Sequence, residues 1–318
     1  MPVYNSELYI REAVDSILNQ TFTDFEFIII DDASTDQSVE IIQSYSDPRI
    51  QLIVKPKNTG YTNSLNYGLT IAKGEYIARM DSDDISLPER FEKQIAFLDT
   101  HPDVVLCGTQ FQFIGSNRIS KQPISYEELK VRLISASCIA HPTICFRAKF
   151  FKDFGISYDH NQEPAEDYDL WTRLIFISKI VNLKEVLLAY RVHTSQVSSA
   201  RFLEQRKVSN AIKYRMLQKV SENINSESIL FKDDLTATIE GIKSAYDELI
   251  NLQRNNDVLR VYDTTFFASY IEEEKYTICK LVKNKNNLSI GKLLWLMSTR
   301  PKIYYYMIRY FVKKRFKL

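Results

Sequence analysis

Two hydrophobic periodicities alternate along the first part of the chain. Ile10, Val14, Ile17 and Leu18 recur at i, i+4, i+7 and i+8, the spacing of one helical face. Asn5 or Ser6 is placed to cap that helix, and Glu7 suits its positive end. Phe25 to Ile30 is a continuous apolar run rich in β-formers, the pattern of a strand buried on both faces in a parallel sheet. Ser34-x-x-Gln37 has the capping-box spacing and predicts the next helix. Ile50 to Val54 predicts a strand, Lys57 to Gly60 a loop, and Leu65, Leu69 and Ala72 a helix that Gly74 terminates. A short strand through Met80 follows. A second capping pattern, Ser86-x-x-Glu89 with Pro88, then opens a helix that buries Phe91, Ile95 and Leu98.

Strands and helices alternating at such short intervals predict an α/β fold of βαβ type, with helices on both faces of the sheet. Beyond Leu98 the pattern loosens. Val104 to Leu106, Thr109 to Ile114, Thr143 to Arg147 and Val186 to Val192 read as strands. Ser125-x-x-Glu128 opens a helix through Ile134, and Glu166-Asp167-Tyr168-Asp169 leads one that buries Trp171, Leu174 and Ile175. Past Arg201 glycine nearly vanishes and only helical stretches remain. This places a domain boundary near residue 200, with an α/β domain over 1–200 and a helical region over 201–318, broken at Asn284 to Asn287.

A hydrophobic content of 45% with 25% charged residues is that of a globular chain able to build a core. The net charge of +1 carries no electrostatic footprint for nucleic acid. The four cysteines, Cys107, Cys138, Cys145 and Cys279, lack metal or disulfide spacing and fit reduced thiols of a cytoplasmic protein. Met1-Pro2-Val3-Tyr4-Asn5 has no signal-peptide character, and no run reaches the roughly 18 apolar residues of a membrane span. From Arg300 onward, however, there are seven Lys/Arg and no acid, interleaved with Tyr304, Tyr305, Tyr306, Tyr310 and Phe311. Such a tail is suited to lie on an anionic membrane surface, which predicts a peripheral location at the inner face of the cell membrane.

Four polar clusters fall at predicted strand ends or helix starts: Asp31 and Asp32; Asp81, Asp83 and Asp84; Glu166 and Asp167; and His193. Each alone has a structural explanation, as a turn former, a cap, a complement to a helix dipole or a loop histidine. Their recurrence on one side of a single sheet points instead to a ligand, because open α/β sheets bind beyond the carboxyl ends of their strands. Three carboxylates at one strand end repel unless something positive joins them, and a hard divalent cation is the natural partner. On that reading Asp81 and Asp83 hold a metal–pyrophosphate group.

The residues also match a family. The chain resembles the inverting family 2 glycosyltransferases of the GT-A fold over about residues 1–200. The likeness rests on Pro2-Val3-Tyr4-Asn5, Ile17-Leu18-Asn19-Gln20-Thr21-Phe22 and Phe27 through Asp36. It continues through Asn58-Thr59-Gly60, Leu65 through Leu69 and Ala72 through Asp84. The later matches are His141-Pro142-Thr143, Glu166 through Trp171 and Tyr190-Arg191-Val192-His193. The resemblance implies a mostly parallel sheet and inverting transfer of a sugar from a nucleotide-sugar, such as a UDP-sugar, with Mn²⁺ or Mg²⁺ as cofactor. The acceptor it implies is a glycan or lipid-linked saccharide of a cell-surface polysaccharide.

It further implies roles for single residues. Asp83 is the metal ligand, Asp81 a ribose or metal contact, and His193 a residue that approaches the metal or phosphate. Asp167 is the general base, with Glu166 beside it on the acceptor side. Asp32 accepts from the base, Pro2 and Tyr4 line it, Glu7 meets the ribose, Lys57 and Asn58 close over it, and Arg79 helps neutralise phosphate. Family members carry an apolar strand immediately before the Pro2-Val3-Tyr4-Asn5 motif, so a start of translation upstream of Met1 is expected. Two rival classes are a non-catalytic nucleotide-sugar-binding homologue and a sugar nucleotidyltransferase. The latter calls for a Gly-rich phosphate loop near the N-terminus, which this sequence lacks.

Overall fold

The computed structural model describes residues 1–193, 196, 201–231 and 239–283. The chain divides into two compact units, one of Met1–Leu129 with Ala136–Ser209, the other of Lys130–Ser135 with Asn210–Leu318. All described strands lie in the first. β1 (Pro2–Val3), β2 (Phe27–Asp31) and β3 (Ile50–Val54) form a parallel sheet in the order β1-β2-β3. β4 (Tyr76–Ala78), β5 (Ile85–Ser86), β6 (Val104–Phe113), β7 (Cys145–Arg147) and β8 (Lys179–Tyr190) form a second sheet in the order β4-β7-β6-β8-β5. In it β6 and β8 are parallel, while β4–β7, β6–β7 and β5–β8 are antiparallel. β4, β6 and β8 therefore run the same way, with their carboxyl ends on one side.

The described α-helices up to residue 174 are α1 (Ile10–Leu18), α2 (Ser38–Gln43), α3 (Tyr61–Ile71), α4 (Arg90–Thr100), α5 (Tyr126–Arg132, whose end from Lys130 belongs to the second unit), α6 (Ala148–Asp153) and α7 (Glu166–Leu174). The predicted face of α1 is the buried one: Ile10, Val14 and Ile17 pack with Phe27, Ile29, Met80 and Phe91 in one cluster. Fully burying one such side chain stabilises the fold by about 1.5–3 kcal/mol.

The helix starts differ from the capping patterns. α1 begins at Ile10 with no side-chain cap. Asn5 instead adopts φ 50° and its Oδ1 accepts from the Thr35 N–H at 2.8 Å, tying the loop after β1 to the loop after β2. α2 begins at Ser38, because Asp31 takes the Ser34 N–H at 2.9 Å and bends the chain before a helix can form. Ser86 lies in β5 and α4 starts after Glu89. In the first two cases Asn and Asp side chains offer the backbone a local alternative to helix, which the spacing rule does not weigh. β6 is one strand of ten residues rather than two. It runs through Gly108, where a Cβ would lie 2.4 Å from Asn182 Oδ1, so glycine here permits the close approach of β8.

Beneath the strand ends lies a buried polar knot. Arg90 is fully buried; its Nη2 donates to the Arg79 carbonyl at 2.5 Å and its Nε to Gln94 Oε1 at 3.1 Å. Gln94 Nε2 donates in turn to the carbonyls of Thr143 and Cys107 at 2.8 and 3.1 Å. Gln94→Leu strips the guanidinium of an acceptor and orphans two carbonyls. A loss of about 2–4 kcal/mol in urea unfolding is expected, against less than about 1 kcal/mol for an exposed site such as Gln51→Leu.

In the second unit, the helices Ile239–Leu259 and Thr264–Lys283 are joined by a turn that Asn256 fixes, bonding both the N–H and the carbonyl of Tyr262. No helix of the described residues is long and apolar enough to cross a membrane. The basic aromatic tail and the break at Asn284 to Asn287 lie outside the described residues.

Candidate active site

The acidic stretch follows β4, which ends at Ala78, two residues short of the strand its sequence predicts. Arg79 is 7% exposed and grips both oxygens of Asp81, Nη2 to Oδ1 at 2.5 Å and Nη1 to Oδ2 at 2.6 Å. Asp84 is buried; its Oδ1 accepts from the Arg191 N–H at 2.8 Å, and its Oδ2 has no hydrogen-bond partner among the described residues. Asp83 is partly exposed, and His193 Nε2 lies 2.8 Å from its Oδ2. One carboxylate oxygen from each of Asp81, Asp83 and Asp84 lies within 4.8 Å of the others.

Burial raises the pKa of Asp81, offset in part by Arg79 and reinforced by Asp83. Burial raises that of Asp84 further, with Asp81 and Asp83 adding to it. This donor set, hard oxygens with one buried oxygen unsatisfied, fits a divalent cation. Arg191 fastens the cluster: its Nε donates to the Asp83 carbonyl at 2.8 Å, its Nη2 pairs with Glu12 at 2.6 Å, and its guanidinium lies over the Tyr9 ring. The His193 ring packs against the same ring at a tilt of 34°, centroids 4.9 Å apart.

A second carboxylate pair heads α7, where the helix N-terminus favours negative charge. Glu166 is 3% exposed and accepts a short hydrogen bond from the Tyr61 hydroxyl. Asp167 is partly exposed; its Oδ1 accepts from the Tyr168 N–H at 2.6 Å and its Oδ2 from Ser137 Oγ at 3.5 Å. Burial and then the Asp167 charge push the Glu166 carboxyl up to about 8. Burial pushes Asp167 up to about 6, opposed by the Tyr168 N–H and by Arg79. Burial raises both carboxyls, and Glu166, the more deeply buried and held by Tyr61, is raised the further. Arg79 acts on Asp81, Glu166 and Asp167 alike, so the two acidic groups share one neighbourhood.

Glu166 also makes stability depend on pH. Its folded value lies above the ordinary 4.5, so its contribution is present below about pH 4.5 and is lost as pH rises through 8. Glu166→Gln mimics the protonated form. Urea midpoints should match wild type near pH 5 and exceed it at pH 8.5, by an amount on the order of 1 kcal/mol or more.

Asp32 ends the first acidic pair, buried just past β2. Its Oδ1 accepts from Lys55 Nζ at 2.9 Å and from the Thr59 N–H at 3.0 Å, and its Oδ2 from the Gly60 N–H at 2.8 Å. Burial works against ionisation here, but these donors, Lys55 foremost, hold the carboxyl below its usual range. Lys55 also reaches Ser64 Oγ at 2.8 Å. Pro2 lies in β1 and Tyr4 is 50% exposed just beyond it. Exposed Glu7 accepts the Gln37 N–H at 3.0 Å. Lys57 and Asn58 stand exposed on the loop, Asn58 Oδ1 bonding the Gly60 N–H.

The structure thus brings Asp81, Asp83, Asp84 and His193 together, and Glu166 with Asp167. It sets Arg191 against Asp83 and Asp84, Tyr61 on Glu166, Ser137 on Asp167 and, separately, Lys55 on Asp32, none of which the sequence reading assigned a role. Lys55 and Arg191 each directly follow or nearly follow a strand end, a signal that could have marked them. Nothing in the sequence marks Tyr61 or Ser137.

The family model Glycosyl transferase family 2 matches residues 1–158. A glycosyltransferase of Haemophilus influenzae is 30% identical over 294 residues, 88% of this chain and 87% of its own. The amylovoran biosynthesis glycosyltransferase AmsE of Erwinia amylovora is 31% identical over 207 residues, 63% of this chain and 77% of its own. Among solved structures, S. aureus TarS 1–349 in complex with UDP-GlcNAc superposes with a TM-score of 0.60 at 22% identity, over 80% of this chain and 81% of that one. That likeness is one of fold, the mixed α/β architecture of GT-A enzymes. With the family model and a relative matched over most of both lengths, the chain belongs to glycosyl transferase family 2.

Proposed function

We propose that the protein is a metal-dependent inverting glycosyltransferase that moves a sugar from a UDP-sugar to a glycan or lipid-linked acceptor of a cell-surface polysaccharide. The observation that carries this reading is the Asp81/Asp83/Asp84 cluster beyond β4 together with the Glu166/Asp167 pair at the head of α7, with the partly exposed Asp167 beside a Glu166 held by Tyr61. The UDP-GlcNAc bound by TarS and the polysaccharide named for AmsE support the donor and acceptor classes.

Asp167 takes the proton of the acceptor hydroxyl. The freed oxygen forms a bond to the anomeric carbon as the bond to the diphosphate breaks, which inverts that centre. Glu166, largely protonated and held by Tyr61, keeps a second negative charge away from the attacking oxygen. Mn²⁺ or Mg²⁺, held by Asp83 with Asp84 and Asp81, would offset the charge on the leaving diphosphate. Asp83 is the most accessible ligand: Arg79 occupies both oxygens of Asp81, Asp84 is buried with one oxygen on the Arg191 N–H, and partly exposed Asp83 has one oxygen beside His193 and the other turned from it. His193, on Asp83, orients that carboxylate or faces the phosphate.

Asp32, with Lys55 and the loop through Asn58, forms the base-side wall, with Pro2, Tyr4 and Glu7 on the opposite chain segment. Residues 1–200 act as the catalytic domain and 201–318 as a helical region whose basic tail attaches the protein peripherally at the cytoplasmic face of the membrane. UDP release from UDP-sugars by the full chain should require Mn²⁺ or Mg²⁺ and rise when an oligosaccharide acceptor is added. Binding of UDP-sugars without turnover under any metal would favour a non-catalytic homologue and overturn the reading.

A further inference from the structure

At its carboxyl end β6 turns back on itself, and residues 111–120 form a hairpin. Gln112 pairs antiparallel with Ile119. The Phe113 N–H donates to the Arg118 carbonyl at 3.0 Å and the Ser120 N–H to the Phe111 carbonyl at 2.8 Å. Buried Gln110 clamps the base of the hairpin: its Oε1 accepts from Ser120 Oγ at 2.9 Å and from the Gln122 N–H at 2.8 Å, and its Nε2 donates to the Gln122 carbonyl at 3.0 Å. At the tip, Gly115 takes φ 76°, and a Cβ there would meet no atom of the described residues within 4 Å. The tip therefore stands in open space.

An antiparallel pair that faces water normally shows it polar side chains. This one shows it Ile114 and Ile119, 37% and 47% exposed. The Ile114 N–H bonds the Tyr190 carbonyl at 2.9 Å, which brings the end of β8 to the tip, and Val192, two residues on, is 64% exposed. Behind them Phe111, Phe113 and Tyr190 form a cluster of rings with centroids 5.1–5.9 Å apart, a firm base for the hairpin. The arms are held by main-chain bonds and by Gln110, so the isoleucines do no structural work that requires their exposure. Single exposed apolar residues are ordinary, but a group of them at one tip marks a surface that meets something.

The charges say what it meets. Arg118 lies over the Phe113 ring at 4.0 Å, Lys121 is exposed on the returning arm, and residues 104–126 contain no acid. On the β8 side Glu12 is matched by Arg191. An apolar tip flanked by cations is complementary to the interface of an anionic bilayer, where apolar burial and headgroup attraction add. Because the two arms satisfy one another's backbone, the tip enters the headgroup layer without stranding a donor.

We propose that hairpin 111–120 is a membrane-contact element that places Ile114 and Ile119 in the interface of an anionic lipid surface, with Arg118 and Lys121 at its headgroups and Val192 beside them. This surface belongs to the first unit and is separate from the basic tail. Tyr190, on which Ile114 hangs, directly precedes Arg191, whose N–H holds Asp84 and whose Nε holds the Asp83 carbonyl. The bilayer then lies on the side of the sheet that carries the acidic cluster. One consequence rests on the function proposed above: the acceptor is a lipid-linked saccharide presented from the bilayer, rather than a free glycan.

The test uses the full chain with Ile119→Cys carrying an environment-sensitive fluorophore, and Gln51→Cys, an exposed site on β3, labelled in the same way. Cys107, Cys138 and Cys145 are buried, and the unsubstituted chain treated with the reagent supplies the background. On adding vesicles of phosphatidylcholine with about 30% phosphatidylglycerol, the Ile119 probe should brighten about twofold or more and be quenched by lipids brominated on their acyl chains. The Gln51 probe should do neither. Arg118→Gln with Lys121→Gln should raise the vesicle concentration for half the Ile119 response roughly tenfold. An Ile119 probe that ignores vesicles and quencher overturns the proposal. A response to protein concentration alone also overturns it, in favour of a second copy of the chain on the hairpin. These readouts need no turnover, so they decide the membrane contact whether or not the chain transfers sugar. For the acceptor, Ile114→Ser with Ile119→Ser should slow transfer to a lipid-linked saccharide in vesicles about tenfold and leave transfer to a free oligosaccharide unchanged. Equal slowing of both overturns the link to the acceptor.

Discussion

Asp167→Asn should fold as wild type does yet turn over about 10²- to 10⁴-fold more slowly, the usual worth of a general base. The substitution keeps the shape at the head of α7 and the bonds to the Tyr168 N–H and Ser137. It removes only the ability to take a proton. The wild-type pH profile supplies a second check. Burial holds the Asp167 carboxyl near 6, so kcat/KM should fall as pH drops through that region rather than near 4, where an ordinary aspartate protonates. In the Asn variant this acid limb should vanish along with most of the rate. A variant with more than a tenth of wild-type turnover, or with the limb intact, would remove Asp167 from the role of base and direct attention to Glu166.

The second large effect is expected at Asp83. Asp83→Asn should cost about 10²- to 10³-fold in turnover and raise the Mn²⁺ concentration needed for half-maximal rate. Among the described residues His193 alone engages its carboxylate, so the change leaves the Arg79–Asp81 and Arg191–Asp84 contacts in place, and thermal stability should move little. Titration of Mn²⁺ against initial UDP-release rates separates the two effects. An unchanged metal requirement would take Asp83 out of the ligand set, whatever the rate.

Apart from β5, whose Ser86 read as a helix start, the order of elements through α4 was legible in the sequence because the strands there are short apolar runs and the helices have clear faces. Phe27 to Asp31 and Ile10 to Leu18 show this. The helix starts were not, because Asn5 and Asp31 spend their side chains on neighbouring backbone. Nor was the unbroken β6, since a glycine that permits close packing looks the same as one that breaks a strand. At the site, the acids were visible because carboxylates at strand ends are rare and clustered. Their partners were not. Tyr61 meets Glu166 across more than a hundred residues, and Arg191 meets Asp84 likewise. Nor did any local pattern show that Arg79 is buried and paired with Asp81.

One earlier detail bears on how the two substrates communicate. Asp32 holds the Gly60 N–H, and the next residue, Tyr61, holds Glu166. The wall proposed for the nucleotide and the pair proposed for the acceptor are thus one peptide unit apart. A donor contact at Asp32 that displaces Gly60 acts on the residue next to the one that holds Glu166, which offers a short route by which donor binding could bias the Glu166/Asp167 pair. Thermodynamic reciprocity then requires that the acceptor repay the same coupling free energy to the donor. Donor and acceptor affinities measured separately would accordingly understate those of the ternary complex, or overstate them, by one shared factor.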